Sequence, residues 1–422
     1  MVLTPTGYNL SPPSPGDKLG RVTSRAAYHL SGTSLAVLLF VAHFCNDFFS
    51  GALSALLPTF QQRFGAGEFT LAVLVATLSF SSSVLQPFFG AVADRLGRRV
   101  VASGGVILSS AVLSSMAVAP SPLLLLPLLF VGGLGSAAFH PAGTSLARSA
   151  ARKTGGLALG VFSAGGTAGM SLGPLIIGLF IIEGWLPYTP LLMVPGLVFG
   201  LLIYFLVPRQ PRDEHARASK IFDIDLFRGP VGRLCLAGIL RSMAWTAIIN
   251  GAPLWLVNSR GLSPTDPVVF WTVTTFTLSG AVGGILAGVV ENRFTRTQLV
   301  TGTMLLATAP LFLMLVSQPG SVGFFALVAA SGILINGGLP IMVVSAQDMA
   351  PHAVATASGM MMGLTWGTAG VLYLGIGALQ ETIGMQVAMA ISILPLLPGA
   401  LIAHRVLAVK SIPVSSAPTN AP

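Results

Sequence analysis

The chain has 422 residues, of which 53% are apolar and only 8% charged. A soluble domain carries roughly 25% charged residues, so this composition cannot cover a water-facing surface and excludes an ordinary soluble fold. The net charge of +9 does not indicate a nucleic-acid binder, because the Lys and Arg residues fall at chain ends and in alternate loops rather than on one basic face.

Residues 1–32 are rich in Pro and Ser and carry Lys18, Arg21 and Arg25. No short apolar core with a small-residue cleavage site occurs there, so the segment reads as a cytoplasmic tail rather than a cleaved signal. A membrane-spanning helix needs about 20 apolar residues. Twelve such runs follow, at 33–57, 70–92, 100–118, 122–147, 156–182, 186–207, 231–257, 267–290, 298–317, 321–347, 356–380 and 385–404. The longest polar break, 208–230, contains Arg209, Arg212, Asp213, Glu214, Arg217 and Lys220 and divides the spans six and six. The expected fold is therefore all-α and polytopic. An N-terminal six-helix bundle (33–207) and a C-terminal one (231–407) are joined by a cytoplasmic central loop (208–230), with a second cytoplasmic tail at 408–422. With both termini inside, all but three of the 22 Lys and Arg residues lie on the cytoplasmic side; Arg63 and Arg260 are outside and Arg241 is within a span. Cys45 and Cys235 both fall in apolar runs and are expected as buried free thiols.

The first span contains His43-Phe44-Cys45-Asn46-Asp47. His43 and Asp47 are four residues apart and share a helix face, with Asn46 beside them. An intramembrane carboxylate is a functional candidate by default, so Asp47, assisted by His43, is the expected proton-coupling group. The alternative is a structural polar cluster tying helices together. In the second span, Gln86-Pro87 is a further polar position.

The turn that follows reads Gly90-Ala91-Val92-Ala93-Asp94-Arg95-Leu96-Gly97-Arg98-Arg99. Gly90 permits close helix approach and Gly97 a tight bend. Asp94 needs a positive partner, and the N-terminal amides of the eleventh span near Thr356 are positioned to supply one. The spacing G-x-x-x-D-R-x-G-R-R resembles the loop signature between the second and third helices of the major facilitator superfamily. The resemblance implies that Asp94 locks the outward-facing state, with Arg95, Arg98 and Arg99 either in the gate or acting only as topological anchors. A degraded second copy, Ala287-Gly288-Val289-Val290-Glu291-Asn292-Arg293, stands at the corresponding place in the second half, as that family's repeated halves imply.

In the fourth span, Gly135-Ser136-Ala137-Ala138-Phe139-His140-Pro141 places His140 beside a proline that should kink the helix. His140 is a candidate substrate contact. Together with His43 to Asp47 and Leu56-Leu57-Pro58, this stretch resembles the fosmidomycin-resistance branch of the same superfamily. That branch usually has an acidic residue after the proline, where Ala142 stands here. The fifth span carries Gly160, Gly169, Gly173-Pro174 and Ile177-Gly178, which resembles the antiporter signature of facilitator drug exporters, with Ile177 replacing the first of its two final glycines. Glycine-lined helix packing is the plainer reading.

Arg241 lies in the seventh span, about ten residues or roughly 15 Å from the cytoplasmic end; by the same rise Asp47 lies roughly 21 Å deep. An Arg241–Asp47 pair is one expectation, and direct binding of an anionic substrate group by the planar guanidinium is the other. Trp245, Asn250 and Asn336 complete the substrate-binding candidates, with Asn46 and Gln86 from the first half. Trp366 is a further stacking surface.

These features point to a secondary active transporter, an antiporter exporting a small drug or organic metabolite, anions included, by alternating access. Proton-coupled uptake of a small organic anion is the alternative. The absence of a GxxxxGK[ST] loop argues against ATP drive. No HExxH occurs, and His43, His140, His352 and His404 are scattered over different spans and ends rather than clustered at a face, so no enzyme activity is expected. The expected energy source is the proton gradient, with no cofactor and no metal. The expected partners are a small-molecule substrate, protons and the lipid bilayer, with no nucleic acid. The chain is expected as a monomer in the cell inner membrane.

Overall fold

The computed structural model of the protein describes residues 32–154, 157–209, 224–351 and 353–408. Most of the expected N-terminal tail, the centre of the central loop and nearly all of the C-terminal tail lie outside the described residues. Within them every regular element is helical. Helices α1 (Gly32–Phe64), α3 (Arg98–Val118), α4 (Pro122–Thr154), α5 (Leu157–Ile182) and α6 (Leu186–Leu206) belong to the first half. The second half holds α7 (Pro230–Asn258), α8 (Pro267–Val290), α9 (Arg296–Val316), α10 (Val322–Met349), α11 (Thr356–Ile383) and α12 (Met385–Leu407). All eleven are long and apolar enough to cross a membrane.

The twelfth span, α2, is broken. Its two pieces, Glu68–Val84 and Gln86–Leu96, meet at a 41° bend. Pro87 supplies the cause, because it has no N–H and its ring clashes with the preceding turn. That turn is relaxed into a π-helix over Phe80–Val84, a form that accommodates a misfit residue inside a helix. The sequence reading had one span here, at 70–92. Other prolines behave differently. Pro58, where the apolar run was expected to end, sits buried inside α1, which continues to Phe64. Pro141 lies inside an unbroken α4. Such prolines are tolerated where neighbouring helices pack around them.

Glycines set how closely the helices approach. On α5, a Cβ added at Gly165, Gly169 or Gly173 would lie 2.3–2.4 Å from the carbonyl oxygens of Phe40, Phe44 and Phe48 on α1. The two backbones are therefore in direct contact along this face. Across the halves, α11 meets α2 in the same way: a Cβ at Gly370 would lie 2.1 Å from that of Ser79, and one at Gly377 would lie 2.4 Å from that of Ala72. A second contact between the halves runs from α5 to α8, where Thr274 Oγ1 donates to Ser171 O at 2.7 Å. Large apolar side chains such as Phe205, Ile285 and Val322 are exposed on the outside, as a bilayer-facing surface requires.

Between the halves lies a cavity of about 1770 Å³. It runs from deep positions such as Asp47 and Trp245 to Arg98, Arg148, Gln347 and Thr356 at the arginine-rich helix ends. At the opposite end the halves are latched. Glu381 accepts from the Phe69 amide at 2.9 Å, and Asn258 donates to Gln61 at 2.9 Å and to Glu68 at 3.2 Å. The cavity is thus open towards the arginine-rich face and closed towards the other.

Candidate functional site

Helix geometry places His43 and Asp47 one turn apart on α1, and α4 brings His140 against them. Asp47 lies between two imidazoles. Its Oδ2 is 3.2 Å from His43 Nε2 and its Oδ1 is 3.2 Å from His140 Nε2. Asn46 Nδ2 donates to Asp47 Oδ1 at 2.8 Å and to Ser136 Oγ at 2.9 Å. Both histidines are held from behind. Nδ1–H of His43 donates to Phe162 O on α5 at 2.8 Å, and Nδ1–H of His140 donates to Ser136 O one turn back, also at 2.8 Å. A carbonyl only accepts, so both tautomers are fixed with Nε2 towards the carboxylate.

The two rings differ in freedom. His43 stacks on Phe162 with centroids 4.1 Å apart and tilts against Phe139. Its side chain is 9% exposed, whereas that of His140 is 25% exposed. Gly166 leaves the space that the His43–Asp47 contact fills, since a Cβ there would lie 2.4 Å from His43 Nε2 and 2.7 Å from Asp47 Oδ2. The three ligand atoms lie within 4.8 Å of one another, close enough to surround a metal ion. The carboxylate, however, gives a separate oxygen to each imidazole, which makes two paired contacts rather than one shared centre.

The second half contributes a different wall. Trp245, Asn250, Asn336 and Trp366 all line the cavity. Trp245 packs on Phe276 and Trp366, with ring centroids 4.7 and 5.8 Å apart. The indole N–H groups of Trp245 and Trp366 are buried without a protein partner. Asn250 Nδ2 donates to Thr246 O at 3.0 Å. Gln86 also lines the cavity, its Nε2 donating to Ser82 O at 3.0 Å.

Arg241 is not where the depth argument put it. It is fully buried, makes no pair with Asp47 and is not part of the cavity wall. Nη1 donates to Ile335 O at 3.0 Å and to Asn336 Oδ1 at 3.3 Å, and Nη2 to Ser242 Oγ at 3.4 Å. Asn336 in turn donates to Gly280 O at 3.0 Å. Arg241 therefore ties α7 to α10 and orients an amide that does reach the cavity. Rise per residue fixes depth along a helix but says nothing of the direction in which a side chain points.

In the turn between α2 and α3, Gly97 has φ +100°, the left-handed region that suits glycine. Gly90 is less constrained, as a Cβ there would make only an ordinary 3.7 Å contact with Pro141. Asp94 is held by Arg98 at 3.4 Å, and not by the first turn of α11. Arg99 donates to Val207 O at 3.2 Å and lies 5.0 Å over the Tyr204 ring, tying α3 to the end of α6. Arg95 lines the cavity near its mouth. Glu291 of the degraded second copy pairs at 3.8 Å with Arg296, just beyond it, and Arg296 also pairs with Asp348 at 2.6 Å.

The α5 glycines divide. Gly169 and Gly173 meet α1 backbone, with Pro174 inside the helix just beyond them, and Gly178 faces the Phe270 ring of α8. Gly160 has nothing within 4 Å and is not a packing position. Residues that the sequence reading passed over are Ser136, Phe162, Gly166 and the latch of Gln61, Glu68, Asn258 and Glu381. Ser136 stands four residues before His140, a spacing that could have marked it. The others have no local sign.

The profile of the Major Facilitator Superfamily matches residues 39–231. An uncharacterized MFS-type transporter, YfnC of Bacillus subtilis, is 28% identical over 380 residues, covering 86% of this chain and 90% of that protein. The fosmidomycin resistance protein of Escherichia coli is 24% identical over 375 residues, covering 86% of this chain and 91% of that protein. Among solved structures, a bacterial homologue of the human lysosomal transporter Spinster in an inward-facing, occupied conformation superposes with TM-score 0.72 at 16% identity, covering 89% of this chain and 96% of that one.

Proposed function

Because the chain belongs to the major facilitator superfamily, a multi-pass transporter family, we propose that it is a proton-driven antiporter that exports a small drug or organic metabolite. The observation that carries this reading is Asp47, bridged by two histidines on the wall of a cavity shared by the two halves. A protonatable cluster at such a place is exposed alternately to the two sides as the halves rock. The arginine-rich face is read as cytoplasmic, so the arrangement is an inward-open one, ready to load from the cell interior.

The two walls divide the work. The first half carries the proton on the Asp47 cluster. The second half offers aromatic surface at Trp245 and Trp366, unpartnered indole donors, and the amides of Asn250 and Asn336. Such a wall suits a compact solute with a planar or apolar part and several acceptors. The glycine signature of α5 supports export, as does the similarity to the fosmidomycin resistance protein. Uptake of a small organic anion with protons is the second reading. It is favoured by a hexuronate transporter of Escherichia coli that is 24% identical over 391 residues, covering 84% of this chain.

The test is an export panel of anionic, neutral and cationic compounds, fosmidomycin among them, in cells and in proteoliposomes. Export of at least one compound that stops when the pH gradient is collapsed is the expected result. Accumulation that rises with the gradient supports the uptake reading, and flux indifferent to the gradient removes the proton role.

A further inference from the structure

Two imidazoles and a carboxylate that meet on a cavity wall are also the donor set of a transition-metal site. We infer that His43, Asp47 and His140 bind a divalent transition-metal ion such as zinc, with one coordination position open to the cavity. Such a site goes beyond the export reading and does not depend on it. The sequence reading expected no metal, because its histidines are scattered over different spans. The fold gathers two of them around Asp47.

Each imidazole donates its Nδ1–H to a backbone carbonyl, His43 to Phe162 O and His140 to Ser136 O, both at 2.8 Å. In the neutral ring Nε2 then carries only a lone pair, the form in which histidine ligates a metal. Each Nε2 lies 3.2 Å from a carboxylate oxygen. A lone pair set against an anionic oxygen is unfavourable until a cation stands between them. His43 shows this most plainly. The residue is 7% exposed, and its Nε2 faces Asp47 with no hydrogen-bond partner. A proton serves one of the two contacts, whereas a divalent ion serves both at once.

The spacing suits such an ion. Zinc bonds to imidazole nitrogen and carboxylate oxygen are about 2.0–2.2 Å long, which puts neighbouring ligand atoms of a tetrahedral site about 3.3–3.6 Å apart. One ligand atom from each of the three residues lies within 4.8 Å of the others, so side-chain rotation alone closes the site. Asp47 gives one oxygen to each ring, and a carboxylate that binds the ion through both oxygens keeps that pairing. Every ligand is also held from behind, the outer support that orients metal-binding side chains. Backbone carbonyls hold the imidazoles, and Asn46 Nδ2 donates to Asp47 Oδ1 at 2.8 Å. Calcium and magnesium take oxygen ligands and do not suit two nitrogens. The His140 side chain is 25% exposed, so the open position faces the cavity, where water or an acceptor of the solute completes the coordination. The ion occupies the atoms to which the export reading gives the proton, so the two exclude one another.

The experiment is calorimetric titration with zinc of the untagged full-length protein in lipid nanodiscs, after treatment with a chelator. One bound ion per chain is expected. His140→Gln should abolish that binding. Asn46→Ala, which removes only the outer support of Asp47, should weaken it by about 10–100-fold. X-ray absorption at the zinc edge of the loaded native protein needs no variant and decides the matter should either one fail to fold. Two imidazoles with oxygen completing the shell are expected. No uptake of zinc would overturn the inference. So would binding that survives His140→Gln, which puts the ion elsewhere among the six histidines, or a shell with any other number of imidazoles. Neither solute nor gradient enters these measurements. Loss of the site therefore leaves the export reading standing, and a solute panel without gradient-driven flux leaves the site intact.

Discussion

Asp47 is the residue on which the chemistry converges. It accepts from Asn46, faces two histidines and lies on a cavity wall. Asp47→Asn keeps the shape but cannot be an anion. Proteoliposomes containing this variant should lose gradient-driven flux while retaining folded yield; flux equal to that of the native protein would show that the proton is carried elsewhere. Arg241 is a contrasting case, buried and bonded only to its neighbours. Arg241→Lys removes the paired Nη contacts to Ile335 O and Asn336 Oδ1. Hydrogen bonds to a charged group are each worth about 1.5–3 kcal/mol, so the thermal unfolding midpoint of the variant should fall clearly. An unchanged midpoint together with lost solute binding would return Arg241 to the cavity.

At the scale of single helices, stability rests on small residues where backbones touch. Gly169 on α5 has no room for a side chain, since a Cβ would lie 2.3 Å from Phe44 O. Gly169→Val should cost at least the 1–3 kcal/mol typical of overpacking, seen as poor folded yield in detergent. Gly160→Ala, nine residues earlier in the same signature, should be neutral because that position faces open space. If the two variants behave alike, the glycines act through helix flexibility rather than contact. The bend in α2 belongs to this scale too. It is produced within the helix by Pro87 and the π-turn before it, and it carries Gln86 onto the cavity wall.

The whole molecule is described by its two ends. One is open at the arginine-rich face, where Asp94 pairs with Arg98 and not with α11. The other is closed by Glu381 on the Phe69 amide and by Asn258 on Gln61 and Glu68. On the alternating-access reading proposed above, rocking exchanges these contacts and the latch favours the present state. The double variant Asn258→Ala, Glu381→Ala should shift the population towards a state open at the latched end. Spin-label distances across that end should lengthen, and distances that stay fixed would mean that the α2–α11 and α5–α8 packing alone holds it shut. Asp94→Asn should act in the opposite sense, if Asp94 caps α11 when the open end closes, by removing that contact from the alternative state.

The amino-acid sequence by itself determined the number of spans, their order and the turn at Gly97. Length of apolar run, basic-residue placement and a bend that only glycine accepts comfortably are local properties, legible without neighbours. It also marked His43 with Asp47 on one helix face, and His140 separately, because an ionisable group in an apolar run stands out. What it did not contain was the meeting of His140 with that pair. The contact of α4 with α1, the clamp of Phe162 and Gly166 on His43, and the turning of Arg241 away from the cavity depend on the angle at which each helix faces its neighbours. That angle is set by close packing across positions distant in the chain, and only the tertiary structure decides it.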